Sequence, residues 1–146
     1  MAVDFSKILA KQATAIEKPK PLPIGEYVAV NPKLPEFKGV GKQETPAAEF
    51  TLTIIAASDT VDPDQLAEYG EVKGKSIRYT QWLSENAEFR AKEELKNAFG
   101  IEEEGKSLGQ MYNETVNAQV LVSITHVPSD DGTEIYARAE KLAAIS

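Results

Sequence analysis

The segment most suggestive of chemistry is a possible phosphate-binding loop at residues 100–107, Gly-Ile-Glu-Glu-Glu-Gly-Lys-Ser. In such a loop, backbone N–H groups cradle the phosphates of a nucleotide, and a lysine, here Lys106, reaches them. The motif must follow a strand and precede a helix, but the residues before Gly100 have the pattern of a helix. Three consecutive glutamates would also stand where phosphates belong. We therefore interpret the segment as an acidic loop that follows a helix.

Catalytic and metal-binding residues form no recognisable arrangement elsewhere in the sequence. The chain has no cysteine, and its one histidine, His126, lies at the predicted end of a strand. No serine lies in the sharp strand-to-helix turn that would make it a nucleophile for this histidine to activate. Asp59, Asp62 and Asp64 are close in sequence, but they lack the glycine and final glutamate of a calcium-binding loop, and helix capping explains them better. We predict no catalytic residue, no metal and no cofactor, and therefore a protein that is not an enzyme.

A third set of residues suits nucleic acid without chemistry. Lysine and arginine can contact phosphates, and aromatic rings can stack on unpaired bases. The predicted nucleic-acid-binding residues are Phe37, Lys38, Lys42, Lys73, Lys75, Arg78, Tyr79, Trp82, Tyr136 and Arg138. The alternative is that Tyr79 and Trp82 are core residues and that the lysines only keep strand edges soluble.

The charge distribution limits where a polyanion could bind. The net charge is −7, which argues against a strongly basic nucleic-acid-binding protein. Residues 1–46 carry seven lysines and five acidic residues, whereas the remaining residues carry nine basic and eighteen acidic ones. Any positive surface that attracts a polyanion must therefore be local.

Apolar and polar residues alternate in a way that predicts five strands and one helix to position these side chains. The strands are predicted over residues 24–30, 48–57, 72–83, 115–127 and 133–142. Val116 is predicted to face inward in the fourth strand, and Ile135 is predicted to lie on the face of the last strand opposite to Tyr136 and Arg138. Residues 33–46 have the composition of a long, mobile hairpin loop. The helix is predicted from Ser84 to about Phe99, with Gly100 ending it.

The first residues are predicted to form a separate arm. Apolar residues at helical spacing predict a short amphipathic helix over 3–16, and the prolines that follow end it. We expect residues 1–23 to be this arm and its linker, and residues 24–146 to be one domain. The helix packs on the domain, frays, or serves in partner binding or self-association. No secretory leader or membrane span is predicted, so we expect a cytoplasmic protein.

Five strands with a helix between the third and fourth predict a mainly β protein, a β-barrel of OB-fold type, with an open α+β sandwich as the competing topology. In the third strand, alternation places Arg78 and Trp82 on one face and Tyr79 on the other. A bulge at Gly74 would bring Lys73 to the face of Trp82. OB-folds bind single strands on their central strands and on the loop between the first two, which is where the candidate residues lie.

Two segments resemble a known family. Leu-Pro-Ile-Gly-Glu-Tyr at 22–27 and Gly-Glu-Val-Lys-Gly-Lys at 70–75, with the helix that follows, are similar to segments of the phage-encoded OB-fold single-stranded DNA-binding proteins. The resemblance covers roughly residues 20–140. It implies a protein of phage or bacterial DNA replication or recombination that sequesters single-stranded DNA, with replication or recombination proteins and further copies of itself as possible partners. The alternative function is a virion or assembly protein whose β-domain contacts other proteins.

Overall fold

The computed structural model is a mainly β protein with one antiparallel sheet of six strands and a few helices. It describes residues 5–10 and 20–145, without the side chains of Lys7 and Ile8. The strands are β1 (Gly25–Val30), β2 (Glu36–Val40), β3 (Thr45–Ala57), β4 (Ser76–Trp82), β5 (Gln119–Pro128) and β6 (Ile135–Ala143). The helices are α1 (Ser6–Leu9), α2 (Pro63–Tyr69), α3 (Glu88–Asn97) and α4 (Leu108–Asn113). In the described ranges, no helix is long and apolar enough to cross a membrane.

The sheet is organised around β3, which is 13 residues long. Because β2 and β4 both pair with residues 47–49 of β3, they lie on its opposite edges. β1 pairs with the last part of β3 and also with β5, and β5 pairs with β6. β4 and β6 contact each other, but within the described residues no backbone ladder joins them. We call the gap between these two strands the seam.

The core lies between the strands and is covered by α3 and α4. The strands contribute alternate, fully buried side chains, as period-2 geometry requires. These are Tyr27, Ala29, Phe50, Leu52, Ile54, Val120, Val122 and Ile124. Leu95 of α3 and Met111 and Tyr112 of α4 complete the core. Each large apolar side chain buried in this way stabilises the fold by about 1.5–3 kcal/mol.

The prediction of five strands and a mobile loop over residues 33–46 is wrong, because a further strand, β2, occupies most of that loop. A tight turn connects β2 to β3, with the Glu44 amide donating to the Gly41 carbonyl at 3.1 Å. Gly41 has a φ of 80°, a conformation that costs glycine little. The glycines and prolines suggested a loop, but pairing with β3 supplies the hydrogen bonds that hold β2 in place.

The predicted starts of the third strand and of the long helix are too early. Gly74 has a φ of 89° and lies in a turn, in which the Lys75 amide donates to the Val72 carbonyl at 3.1 Å. β4 therefore begins at Ser76, and the predicted bulge at Gly74 is a turn instead. Residues 84–87 form another turn, and α3 begins at Glu88. The prediction of one helix after this strand is also wrong, because α4 follows α3 before β5.

The last two strands begin later than predicted, and the inward assignment of Val116 is wrong. Val116 is exposed because residues 115–118 form a turn with Asn117 at a φ of 69°. Ile135 is also exposed. A register shift opposite Ser123 and Ile124 leaves Glu140 as an extra residue in β6. This bulge changes the alternation, so that Leu142 points inward after Ala139.

The beginning of the domain is held by backbone carbonyls of residues 22 and 23. The Tyr27 hydroxyl donates to the Pro23 carbonyl at 2.6 Å, and His126 Nε2 donates to the Leu22 carbonyl at 2.7 Å. The Leu22 side chain belongs to the core. Of the helix predicted over 3–16, the structure describes Ser6–Leu9 as helical, and residues 11–19 lie outside the described residues.

Candidate nucleic-acid interface

The outer face of β4 presents the cation and the aromatic ring that alternation predicted. Ile77, Tyr79 and Gln81 point inward, whereas Arg78 and Trp82 are exposed on the opposite face. The division of Arg78 and Trp82 from Tyr79 is thus confirmed. Tyr79 is a core residue, so its ring is not available for stacking on a base.

A cleft of about 400 Å³ lies at the seam, between β4, β6 and the first turns of α3. We call it the arginine cleft. Its charged and aromatic lining consists mainly of Arg78, Trp82, Arg90, Glu94, Arg138 and Glu140. The 146-residue chain contains only three arginines and one tryptophan, and all four line this cleft. The structure therefore brings together residues from three different elements.

The arginines of the cleft are weakly neutralised. Arg78 Nε lies 3.9 Å from Glu49 Oε1, and the Arg78 side chain is 77% exposed. In the described part of the chain, Arg90 and Arg138 have no carboxylate within 4 Å of their guanidinium groups. Guanidinium groups bind phosphate in a bidentate fashion and also stack on planar rings. The cleft can therefore accept an anionic group beside a planar one.

The floor of the cleft is a hydrogen-bonded network around Glu94 of α3. Its carboxylate accepts from the Tyr79 hydroxyl at 2.7 Å, from Gln81 Nε2 at 2.7 Å and from the Leu142 amide at 3.2 Å. The Tyr112 hydroxyl donates to Gln81 Oε1 at 2.7 Å. Each of these polar side-chain groups has a partner, as burial requires.

Two tyrosines of this network have hydroxyl groups with raised pKa values. Burial, followed by the hydrogen bond to Glu94, raises the pKa of Tyr79 well above its ordinary value, although nearby Arg90 opposes this effect. Burial and the charge of Glu94 likewise raise the pKa of Tyr112. Both hydroxyls are therefore neutral donors at ordinary pH.

The predicted loop residues lie on two different faces of β2 and its turn. Lys38 points to the outer face, where its Nζ lies 3.2 Å from Glu49 Oε2. Phe37 points to the other side and packs edge-to-face on Tyr112, with ring centroids 5.2 Å apart. Lys42 is exposed in the turn after β2. None of these residues lines the arginine cleft.

The other predicted residues are spread along β4 and β6. Lys73 and Lys75 are exposed in the turn before β4. Lys75 is seven positions from Trp82, or roughly 23 Å along an extended chain. Tyr136 is exposed on the same face of β6 as Arg138, and its hydroxyl donates to the Glu134 carboxylate. Of the ten predicted residues, Arg78, Tyr79, Trp82 and Arg138 line the arginine cleft.

Sequence analysis missed Arg90 and Glu94. Both lie on α3, which was interpreted only as a helix with charged and apolar residues. Their spacing of four places them on one side of the helix, next to the buried positions Ala91 and Leu95. A charged residue next to the buried face of a helix lies close to the elements that the helix covers, and this position could have marked Arg90 and Glu94 as candidates. The sequence does not show, however, which strands α3 covers.

The motifs set aside at the sequence level have structural roles. Lys106 pairs with Glu114 at 2.8 Å, and Ser107 caps α4, so the segment 100–107 connects two helices. Asp62 caps α2, accepting from the Asp64 amide at 2.8 Å. Among the residues that the structure describes, no group of three His, Cys, Asp or Glu side chains could hold a metal ion.

Comparison of the chain with models of protein families and with curated proteins finds no match.

Proposed function

We propose that this protein binds single-stranded DNA in the arginine cleft, by stacking and phosphate contacts, without a chemical step. The observation that carries the proposal is the location of every arginine and the only tryptophan of the chain in one cleft. Because the net charge of the protein is −7, a polyanion can be attracted only to a small positive area of its surface. This cleft places cations beside an exposed indole ring. Single-strand-binding proteins combine these two features.

The proposal includes an OB-type barrel as the scaffold. β1 and β2 pair with the same edge of β3, and we assign both to the position of the first barrel strand. With β1 and β2 in one position, the six strands fill five positions of such a barrel, and the helices α3 and α4 lie between the third and the fourth position. The OB-fold is a five-stranded and partly open barrel that binds oligonucleotides on its second and third strands. Those strands correspond to β3 and β4, and Arg78 and Trp82 lie on the second of them.

Unpaired DNA suits the cleft better than duplex DNA. Trp82 is 44% exposed, so one part of its ring is free for stacking while the rest is supported by the protein. Stacking needs a base whose face is accessible, which a duplex does not offer. A role in phage or bacterial DNA replication or recombination, with partners from those processes, belongs to the same proposal and rests on the resemblance of residues 22–27 and 70–75.

A fluorescence titration tests the proposal. Because Trp82 is the only tryptophan, all indole fluorescence of the protein comes from the cleft. We expect bound oligothymidine to quench this fluorescence. We expect single-stranded oligonucleotide to bind at least tenfold more tightly than duplex of the same length, and Arg138→Ala to weaken binding. Lys75→Ala, which removes a cation outside the cleft, is the matched control. Equal affinity for duplex, or equal losses in both variants, would contradict the proposal.

A further inference from the structure

The three arginines of the cleft lie on three separate elements that share no direct backbone pairing with one another. Arg78 is on β4, Arg90 is on α3 and Arg138 is on β6. β4 pairs with β3, and β6 pairs with β5. The spacing between the arginines therefore depends on whatever joins these elements across the seam.

Glu94 makes that connection. It belongs to α3, accepts from Tyr79 and Gln81 of β4, and accepts from the Leu142 amide of β6. Leu142 lies on β6, which in the described part of the chain pairs with β5 and has no strand paired on its other side. The Glu94 carboxylate accepts a hydrogen bond from this strand and so ties β6 to α3. It also lies one helical turn after Arg90, on the same side of α3.

We propose that Glu94 is a positioning residue, which holds β4, α3 and β6 together and thereby sets the geometry of the arginine cleft. Its charge is of the wrong sign for direct contact with a phosphate, and its acceptor positions are engaged by the protein. Glu94 acts on the ligand only through the elements that it joins. This inference rests on the proposed function for the identity of the ligand, but the bridge across the seam does not.

The sign of the mutational effect separates a positioning role from a merely electrostatic one. Removal of a negative charge beside an anion site strengthens anion binding if the charge only repels the ligand. If Glu94 positions the arginines, Glu94→Gln weakens binding instead. The amide nitrogen of glutamine cannot accept a hydrogen bond, so at least one donor of the network loses its partner in this variant.

The experiment measures two quantities in the full chain. Hydrogen exchange of the Leu142 amide, followed by NMR, reports on the bridge without any ligand. Affinity for oligothymidine, followed by Trp82 fluorescence, reports on the cleft. In Glu94→Gln we expect the Leu142 amide to exchange at least tenfold faster and the affinity to fall roughly tenfold, as for the loss of a charge-assisted hydrogen bond.

Glu93→Gln is the matched control, because it removes the same charge from the neighbouring position of α3. Glu93 pairs with Lys96 and does not line the cleft. We expect Leu142 exchange and affinity to stay within twofold of the unaltered protein. Should Glu94→Gln fail to fold, Tyr79→Phe removes one donor from the same carboxylate, and its expected effect is a threefold or larger loss of affinity.

Unchanged Leu142 exchange in Glu94→Gln, or an affinity equal to or above that of the unaltered protein, overturns the inference. If the unaltered protein does not bind oligothymidine, the proposed function fails. The exchange measurement still decides in that case whether Glu94 bridges the seam, so the two failures are distinguishable.

Discussion

The Nε atom of Arg78 lies 3.9 Å from Oε1 of Glu49, across the pair of strands β3 and β4. The same carboxylate pairs with Lys38 at 3.2 Å on the opposite side, and only 16% of the Glu49 side chain is exposed. Glu49 thus lies between Lys38 and Arg78, and Arg78 lines the cleft in which we place the ligand. A phosphate that approaches Arg78 must compete with this internal anion.

We therefore expect Glu49→Gln to raise the affinity for single-stranded DNA about threefold at low salt, because the competing charge is removed. The dependence of affinity on salt should become steeper, since freed cations neutralise additional phosphates. Titrations at several salt concentrations measure both effects. Asp59→Asn, which removes the same charge from an exposed loop, is the control. A weaker affinity in Glu49→Gln would count against phosphate contact on this face.

Trp82→Ala should reduce the free energy of binding by about 1–3 kcal/mol, the usual contribution of an aromatic ring that stacks on a base. The variant lacks the intrinsic fluorophore, so a labelled oligonucleotide and anisotropy are needed for this measurement. Phe89→Ala is the comparison, because Phe89 is more exposed than Trp82 but does not line the cleft. Similar losses in both variants would show that exposed aromatic area, and not the cleft, determines binding.

Arg90→Ala should make the salt dependence shallower by roughly one phosphate contact, because each neutralised phosphate adds about 0.7 to the slope for single strands. Sequence analysis did not select Arg90, so this variant tests the tertiary arrangement in particular. Lys73→Ala and Lys75→Ala, selected from the sequence but lying in the turn before β4, should leave the slope unchanged. A larger effect at the two lysines than at Arg90 would move the site to that turn.

Stability should fall as the pH rises above about 10. Burial, followed by the charge of Tyr69, raises the pKa of Tyr27 from its ordinary value to about 12. The folded state therefore holds this proton more tightly than the unfolded state, so stability is complete below pH 10 and is lost as the pH rises toward 12. Chemical denaturation at pH 9, 10 and 11 measures the trend. Tyr27→Phe removes this proton and should make the trend shallower without abolishing it, because the raised pKa values of Tyr79 and Tyr112 act in the same direction. Loss of the hydrogen bond to Pro23 lowers the stability of this variant at every pH.

Removal of residues 1–19 should leave a cooperative unfolding transition, since in the described part of the chain the contacts that begin the domain come from residues 20–23. Leu22→Ala, by contrast, should cost about 2–3 kcal/mol of unfolding free energy, because the side chain is buried in the core. Ile24→Ala is the control, as Ile24 is exposed and should change stability by less than about 0.5 kcal/mol. A noncooperative transition in the shortened chain would make the arm part of the core.

The sequence by itself determined most strands and the faces of β4. Alternation is a local property with a period of two residues, so Arg78 and Trp82 could be assigned to one face without knowledge of any neighbour. The β2 strand was hidden by its glycines and prolines. Its existence depends on hydrogen bonds from β3, which a local pattern does not encode. β4, α3 and β5 were predicted to start too early because each is preceded by a turn. The alternation or helical spacing of the residues continues through that turn, so the sequence pattern does not show where the element begins.

Only the tertiary structure decided which charges meet. Arg78, Arg90 and Arg138 are separated by 12 and 48 positions in the chain, and each lies on a different element. Their common cleft results from the way α3 covers the seam between β4 and β6. Glu94 was one of many acidic residues in the sequence and became a bridge because the Leu142 amide of β6 lies within hydrogen-bond distance of its carboxylate. Such encounters depend on the packing of distant segments and have no signature in residue spacing.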